Sequence, residues 1–223
     1  KNLKSHDKGK TFRIISDALD DLGYHVKMTV LNSMEYGNVP QNRELIYIVG
    51  FKNKKHYDAF EFPKPTPLTK SVADLLDEHA DERYYYNSHP LYKELNKIMK
   101  SQDTVYQWRR AYVRENKKGV CPTLTANMGT GGHNVPLIRN GKGIRKLTPR
   151  ECARLQGFPE SYKLPKHLPD TKLYKQFGNS VTGSVIERIA RQLMKALAGS
   201  GNNANNVYRN ATTRKDSLLR TTA

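Results

Sequence analysis

The chain has 223 residues, and 38 Lys+Arg against 21 Asp+Glu give it a formal net charge of +17, at a length that suits one large or two small domains. Hydrophobic residues make up 37% with a mean hydropathy of −0.76, and no run approaches the ~18 consecutive apolar residues of a membrane span, so an integral membrane protein is excluded. Two cysteines, Cys121 and Cys152, exclude a disulfide framework and a four-cysteine zinc site. A reducing compartment is expected, and a pI of about 9.8 points to a polyanionic partner, most often nucleic acid, or to a solvated basic surface.

The first residue is Lys1, from which a fragment, a processed product or one half of a larger protein is expected. No apolar stretch lies near it, so no secretory signal is expected. Phe12, Ile15, Leu19 and Leu22 fall at helical spacing over 11–22, with Gly23 as the stop. Val26, Met28 and Val30 then alternate with Lys27 and Thr29, the period of a half-buried strand. The unbroken run Leu45-Ile46-Tyr47-Ile48-Val49 predicts a strand buried on both faces. Helix, strand and buried strand in this order suggest the closing part of an α/β domain.

Three prolines between Pro63 and Pro67 mark a candidate boundary. The region 84–145 carries eleven Lys+Arg against Glu94, Asp103 and Glu115, a net of +8, interleaved with seven aromatics from Tyr84 to Tyr112. Gly129, Gly131 and Gly132 lie close together, and the whole reads as a small, irregular, basic domain. Thr148-Pro149-Arg150-Glu151 has the form of a capping box with proline at the first helical position, and Gly157 ends that helix. Val185, Ile189, Leu193 and Leu197 form the stripe of a last helix, with Ser184 and Glu187 as a second capping box. The Gly-, Ser- and Asn-rich stretch 199–223 reads as a disordered tail.

Three stretches, in order, resemble blocks of the DNA cytosine-5 methyltransferases. Asn38-Val39-Pro40-Gln41-Asn42-Arg43-Glu44 is similar to the eighth block, residues 145–159 (Arg-Lys-Leu-Thr-Pro-Arg-Glu-Cys-Ala-Arg-Leu-Gln-Gly-Phe-Pro) to the ninth, and Tyr174-Lys175-Gln176-Phe177-Gly178-Asn179-Ser180-Val181 to the tenth. Pro122-Thr123-Leu124-Thr125 resembles the Thr-Leu pair of the family's target recognition domain. The resemblance covers about residues 1–197. It implies an α/β fold: the C-terminal part of a Rossmann-like methyltransferase domain with a small, irregular, mostly β DNA-recognition domain. The implied division is 1–62 for the end of the catalytic domain, 63–144 for target recognition, 145–198 for the ninth and tenth blocks returning to the catalytic domain, and 199–223 for the tail.

The resemblance also implies chemistry. S-adenosylmethionine is the methyl donor, and the target cytosine is flipped out of the duplex because its reactive carbon is shielded inside the stack. A cysteine attacks C6, a glutamate assists at N3, and C5 takes the methyl group before losing its proton. Asn179, Ser180 and Val181 are placed against the cofactor, with Gly178 permitting a turn; read alone, Gly-Asn-Ser before a helix is a capping turn. Gln41, Thr123 and Leu124 are placed at the DNA, the latter two beside the target base. Arg109 and Arg110 beside Trp108 suit phosphate contact or a solvated charge run. His133 and Asn134 reach DNA or are simply exposed, and Glu151 and Arg154 are expected in local ion pairs that order the seam between domains.

The chain departs from the family pattern in two ways. The family's cofactor loop, Pro-Cys-Gln nucleophile loop and Glu-Asn-Val acid block precede the region covered here, and neither Cys121 nor Cys152 has the nucleophile's surroundings. Where the eighth block usually carries a second arginine, Leu45 stands; Arg43 remains as a supporting catalytic candidate, a guanidinium fork for a phosphate or for organising the catalytic loop, or an ordinary surface arginine. The expectation is the C-terminal part or subunit of a cytosine-5 methyltransferase in a prokaryotic or phage cell interior. It is expected to be inactive alone, with duplex DNA and a polypeptide holding the N-terminal blocks as partners. The alternative is a non-catalytic, sequence-specific DNA-binding relic of such an enzyme.

Overall fold

The computed structural model describes residues 2–109, 112–116, 119–129 and 134–199; Arg110, Gly131, Gly132, His133 and the stretch from Ser200 onward lie outside the described residues. The chain divides into two compact units, one made of residues up to Val30, Ile46–Pro63 and the chain from Glu187, the other of Leu31–Leu45 and Lys64–Ile186.

In the first unit, a short helix α1 (Asn2–Ser5) leads through a 3-10 turn into α2 (Lys10–Asp21). Its apolar stripe Phe12, Ile15 and Leu19 is half-buried, and Gly23 at φ +71° turns the chain into β1 (His25–Asn32). A helical turn α3 (Ser33–Tyr36), begun by the Asn32 side chain accepting from the Met34 N–H, and the two-residue β2 (Gln41–Asn42), both belonging to the second unit, intervene in sequence before β3 (Glu44–Phe51), which pairs with β1. The run Leu45–Val49 is half-buried, not enclosed on both faces. A sheet of two strands covers too little of either face to bury such a run. After β3, α4 (Lys54–Ala59) is capped by Asn53, and Phe51, Phe60 and Phe62 stack at centroid separations of 5.5 and 5.1 Å.

The second unit is built around a four-stranded antiparallel sheet of order β5-β4-β7-β8, formed by β4 (Val105–Arg109), β5 (Tyr112–Asn116), β7 (Val135–Asn140) and β8 (Gly143–Lys146). The strand period of two sends alternate side chains to opposite faces. Tyr106, Leu137 and Ile144 join Leu95 and Met99, from and just after α5 (Tyr92–Ile98), in one apolar core. Val105 and Ile138 face the other core, with Leu124, Cys152, Leu155, Tyr174 and Phe177. That second core is closed by α6 (Pro149–Leu155) and α7 (Asp170–Asn179), so the ninth- and tenth-block helices pack together on the sheet. The short strand β6 (Cys121–Pro122) lies parallel to β2, with Gln41 opposite Cys121 and Asn42 opposite Pro122.

Helix α6 starts with the expected box: the Thr148 side chain accepts from the Glu151 N–H, and the Glu151 carboxylate accepts from the Thr148 N–H. The second expected box does not form. Helix α8 (Gly183–Ala198) begins before Ser184, which therefore stands inside the first turn and not at the cap; its hydroxyl donates to the Gly37 carbonyl at 2.7 Å. Among the described residues no helix is long and apolar enough to cross a membrane.

Candidate functional site

Four segments far apart in sequence meet in the second unit through buried polar side chains. The β2–β6 pairing brings Gln41 beside the 121–124 segment. Gln41 is fully buried; its amide nitrogen donates to the Leu155 carbonyl at 2.7 Å, and its oxygen accepts from the Leu124 N–H at 3.1 Å. Gln156, also fully buried, donates to the Phe177 carbonyl at 2.7 Å, and its oxygen accepts from the hydroxyl of Thr182 at 3.3 Å. The hydroxyls of Thr182 and Ser33 share a hydrogen bond of 2.6 Å. A buried amide left unpaired would cost about 1–3 kcal/mol, so such a network locks its members in one arrangement.

Arg43 is the centre of this network. Its guanidinium donates from Nη1 to the Leu124 carbonyl at 2.8 Å, and from Nη2 to the carbonyls of Gly178 at 3.1 Å and Ser180 at 2.7 Å. It is 6% exposed. A planar fork can span carbonyls from two separate segments, which a point-like ammonium cannot. The eighth block, the Thr-Leu pair and the tenth block are thereby tied together by one side chain.

The expected DNA contacts from Gln41 and Leu124 are corrected by this geometry: both side chains are enclosed by protein, at 0% and 1% exposure. They set the position of Thr123, which is exposed and donates from its hydroxyl to the Asn42 carbonyl at 2.7 Å. Arg43 likewise turns its fork to backbone carbonyls. Gly178 does not make a turn either; it lies in the last turn of α7, where a Cβ would stand 2.2 Å from the Thr125 carbonyl carbon and 2.3 Å from the Ala126 nitrogen. Glycine is needed there for close approach of helix and loop.

Beyond α7, Asn179 and Val181 are exposed and Ser180 half-buried, its hydroxyl donating to the Phe177 carbonyl at 2.9 Å. Asn179 and Ser180 line an open cleft of 470 Å³ with Lys172, Lys175 and Gln176. This donor set fits part of S-adenosylmethionine. Amides and a hydroxyl suit its polar groups and the two ammonium groups its carboxylate, whereas like charge sets them against its sulfonium.

A second cleft, of 330 Å³, opens beside Thr123 and is lined also by Gln107, Arg109, Arg114, Asn116 and Asn134. Arg109 is half-buried, and Asn134 takes φ +70°. Gln107 had a sequence signal that motif reading passes over: polar Gln107 and Arg109 alternate with Tyr106 and Trp108 along β4. Gln156, Thr182 and Ser33 were also passed over; of these only Gln156, at the end of the ninth block, lies in a motif.

Glu151 and Arg154 both take part in ion pairs, as expected. Glu151 binds Arg145 at 2.7 Å, both fully buried, and Arg154 bridges Asp77 at 2.6 Å and Glu160 at 2.7 Å. Cys121 and Cys152 are buried in the core, and burial pushes both thiols well above their usual range. Neither presents a thiolate to solvent.

Comparison with known proteins extends the picture. The family model for C-5 cytosine-specific DNA methylase matches residues 1–195. The chain is 56% identical over 201 residues to the Type II methyltransferase M.Bsp6I of Bacillus sp. (strain RFL6), covering 88% of this chain and 64% of that protein. It is 38% identical over 209 residues to the Type II methyltransferase M.NlaX of Neisseria lactamica, covering 89% of this chain and 61% of the relative. The chain therefore spans about three fifths of the length of these curated relatives. In fold it is similar to a methyltransferase from Entamoeba histolytica, with a TM-score of 0.62 at 20% identity over 85% of this chain and 59% of that one.

Proposed function

The chain belongs to the C-5 cytosine-specific DNA methylase family, and from that premise we propose that it is the C-terminal part or subunit of a DNA (cytosine-5-)-methyltransferase. In this reading 1–62 and 145–198 serve the catalytic domain and 63–144 target recognition. Asn179, Ser180 and Val181 form part of the S-adenosylmethionine site, and Thr123 and Arg109 face duplex DNA. S-adenosylmethionine, when bound, supplies the methyl group. Gln41, Arg43, Leu124 and Gln156 hold the recognition loop and the tenth block in register with each other. The observation that carries the reading is this shared network, in which three motif blocks and the Thr-Leu pair are laced by buried hydrogen bonds.

By itself the chain transfers no methyl group in this proposal. Attack on C6 needs an accessible thiolate, and both of its cysteines are core residues with raised thiols. The partner is a polypeptide carrying the N-terminal methyltransferase blocks, in the cytoplasm of a prokaryotic or phage-infected cell; the Type II relatives from Bacillus and Neisseria support a restriction–modification setting. A second reading, a DNA-binding relic without turnover, is favoured by Leu45, which offers neither charge nor hydrogen bond where the family places an arginine.

The test is incorporation of labelled methyl from S-adenosylmethionine into duplex DNA by this chain, alone and with the complementing polypeptide. The expected result is none alone and methylation at C5 on addition. Methylation by the chain alone overturns the proposal that it lacks a nucleophile. Association of the two polypeptides without turnover overturns the subunit reading in favour of the relic.

A further inference from the structure

We propose that Arg109, oriented by Gln107, reads a guanine in the major groove of the DNA site, so that these two residues set sequence specificity and do not merely anchor phosphate. The inference rests on the methyltransferase reading above and deepens it by naming the base that the cleft beside Thr123 accepts.

The β4–β5 hairpin has two unlike faces. On one, Tyr106, Trp108 and Val113 pack into or against an apolar core. On the other, Gln107 and Arg109 stand two residues apart on β4, with Arg114 directly across from Gln107 and Asn116 across from Val105. A polar strand face ordinarily meets bulk water. Here it forms a wall of the 330 Å³ cleft, opposite Thr123 and Asn42. Gln107 is buried at 5% exposure, and its side-chain oxygen accepts from Nη1 of Arg109 at 3.1 Å.

That hydrogen bond holds the guanidinium in one orientation before any ligand arrives, which lowers the ordering cost of binding. One Nη1–H is committed to Gln107, and the remaining donors of the planar fork stay directed as a set. Among base edges in the major groove, guanine offers two acceptors side by side, O6 and N7; adenine pairs its N7 with a donor, and thymine has a single acceptor. A fixed two-pronged donor therefore selects guanine.

Two features separate this from a phosphate contact. Among the described residues no carboxylate lines the cleft, so nothing competes for the fork, and neutral amides (Asn42, Asn116 and Asn134) supply both donors and acceptors around it. A phosphate needs only charge at an open surface, which is how exposed Arg114 stands at the same wall. The cleft also contains Thr123, so the base it reads lies next to the residue proposed to face the target.

The experiment is selection from a pool of randomised duplexes by the full chain, alone and with the complementing polypeptide, repeated with Arg109→Lys and Gln107→Leu. Wild type is expected to enrich a site with guanine fixed at one position. Arg109→Lys keeps the charge but loses the fork, and is expected to lower discrimination at that single position about ten- to a hundred-fold while other positions stay as they were. Gln107→Leu is expected to weaken the same position to a smaller degree without changing charge. Thermal unfolding near the wild-type midpoint confirms that each variant folds; if Arg109→Lys does not fold, Arg109→Gln takes its place and is expected to lose the guanine preference, and if Gln107→Leu does not fold, Gln107→Met takes its place with the same expectation as the leucine variant. The proposal is overturned if Arg109→Lys preserves the enriched guanine, or if it weakens all sequences equally. If wild type enriches no sequence in either form, the methyltransferase reading falls with it; if wild type enriches a site that the variants read unchanged, only this proposal falls.

Discussion

Arg43 donates to carbonyls of Leu124, Gly178 and Ser180, and no second side chain among the described residues is shown bonding to those three oxygens. Replacing it with methionine leaves them short of a partner in a site with little solvent. Each buried group deprived of its hydrogen bond costs about 1–3 kcal/mol, so Arg43→Met is expected to lower stability by about 3–5 kcal/mol in urea unfolding. Arg43→Lys should recover part of that, because an ammonium carries the charge but reaches fewer of the carbonyls. A loss below about 1 kcal/mol for the methionine variant would mean that water replaces the guanidinium and that the clamp is not structural. Arg43 was legible in the sequence as a motif residue, yet its task was not. Its partners lie 81 to 137 positions away, and no local pattern says which carbonyls a buried fork will meet. The same holds for Gln41: the motif marks it, and only the fold shows its amide spent on Leu155 and Leu124.

Between elements, α7 approaches the backbone of the loop after Thr123 closely. A methyl group at Gly178 would overlap the backbone at Thr125 and Ala126, and backbone cannot rotate away as a flexible side chain can. Gly178→Ala should therefore push α7 off the loop even though alanine favours a helix by about 1 kcal/mol over glycine. The net expectation is a loss of about 2 kcal/mol or more, of the size seen when a packed interior is overfilled, read as a lowered urea midpoint. An unchanged or raised midpoint would show that the loop yields at no cost and that helix propensity wins. Elements of this kind were readable where the signal was local. The box at Thr148 and Glu151 involves residues three apart, and the structure contains it. Ser184 carries the same local signature, but the helix starts one residue earlier, at Gly183, so Ser184 is an interior position whose hydroxyl donates to the distant Gly37 carbonyl. The run at Leu45–Val49 has the composition of an enclosed strand, but enclosure depends on how many neighbours a sheet has, which composition does not encode.

For the whole molecule, a net charge of +17 invites the idea that every basic residue of the 84–145 region touches DNA. The fold removes some of them from that role. Arg145 is buried against Glu151, and Arg139 is half-buried, donating to the Asn96 side chain and the Met99 carbonyl. Lys100 donates to the Asn96 carbonyl but remains exposed. A basic composition thus overstates the electrostatic footprint, since cations spent on internal carbonyls and carboxylates release few counterions. Of eleven basic residues in the region, removing these two internal ones and the one proposed to read a base leaves eight, not all of which can face one duplex. With about five or six phosphates neutralised, the slope of log K against log salt for duplex binding should be about −5, because each phosphate contributes about −0.9. Titration of binding affinity against salt measures this directly. A slope near −10 would mean that nearly the whole basic complement engages DNA and that the internal bonds of Arg139 and Arg145 are given up on binding. Arg109→Lys should leave the slope unchanged, since a residue that reads a base in a cleft contributes hydrogen bonds and not counterion release. A phosphate anchor exchanged for a lysine would also keep the slope, so Arg109→Gln is the deciding variant. A slope kept near −5 alongside a lost guanine preference assigns Arg109 to the base, and a slope reduced by about one assigns it to the backbone.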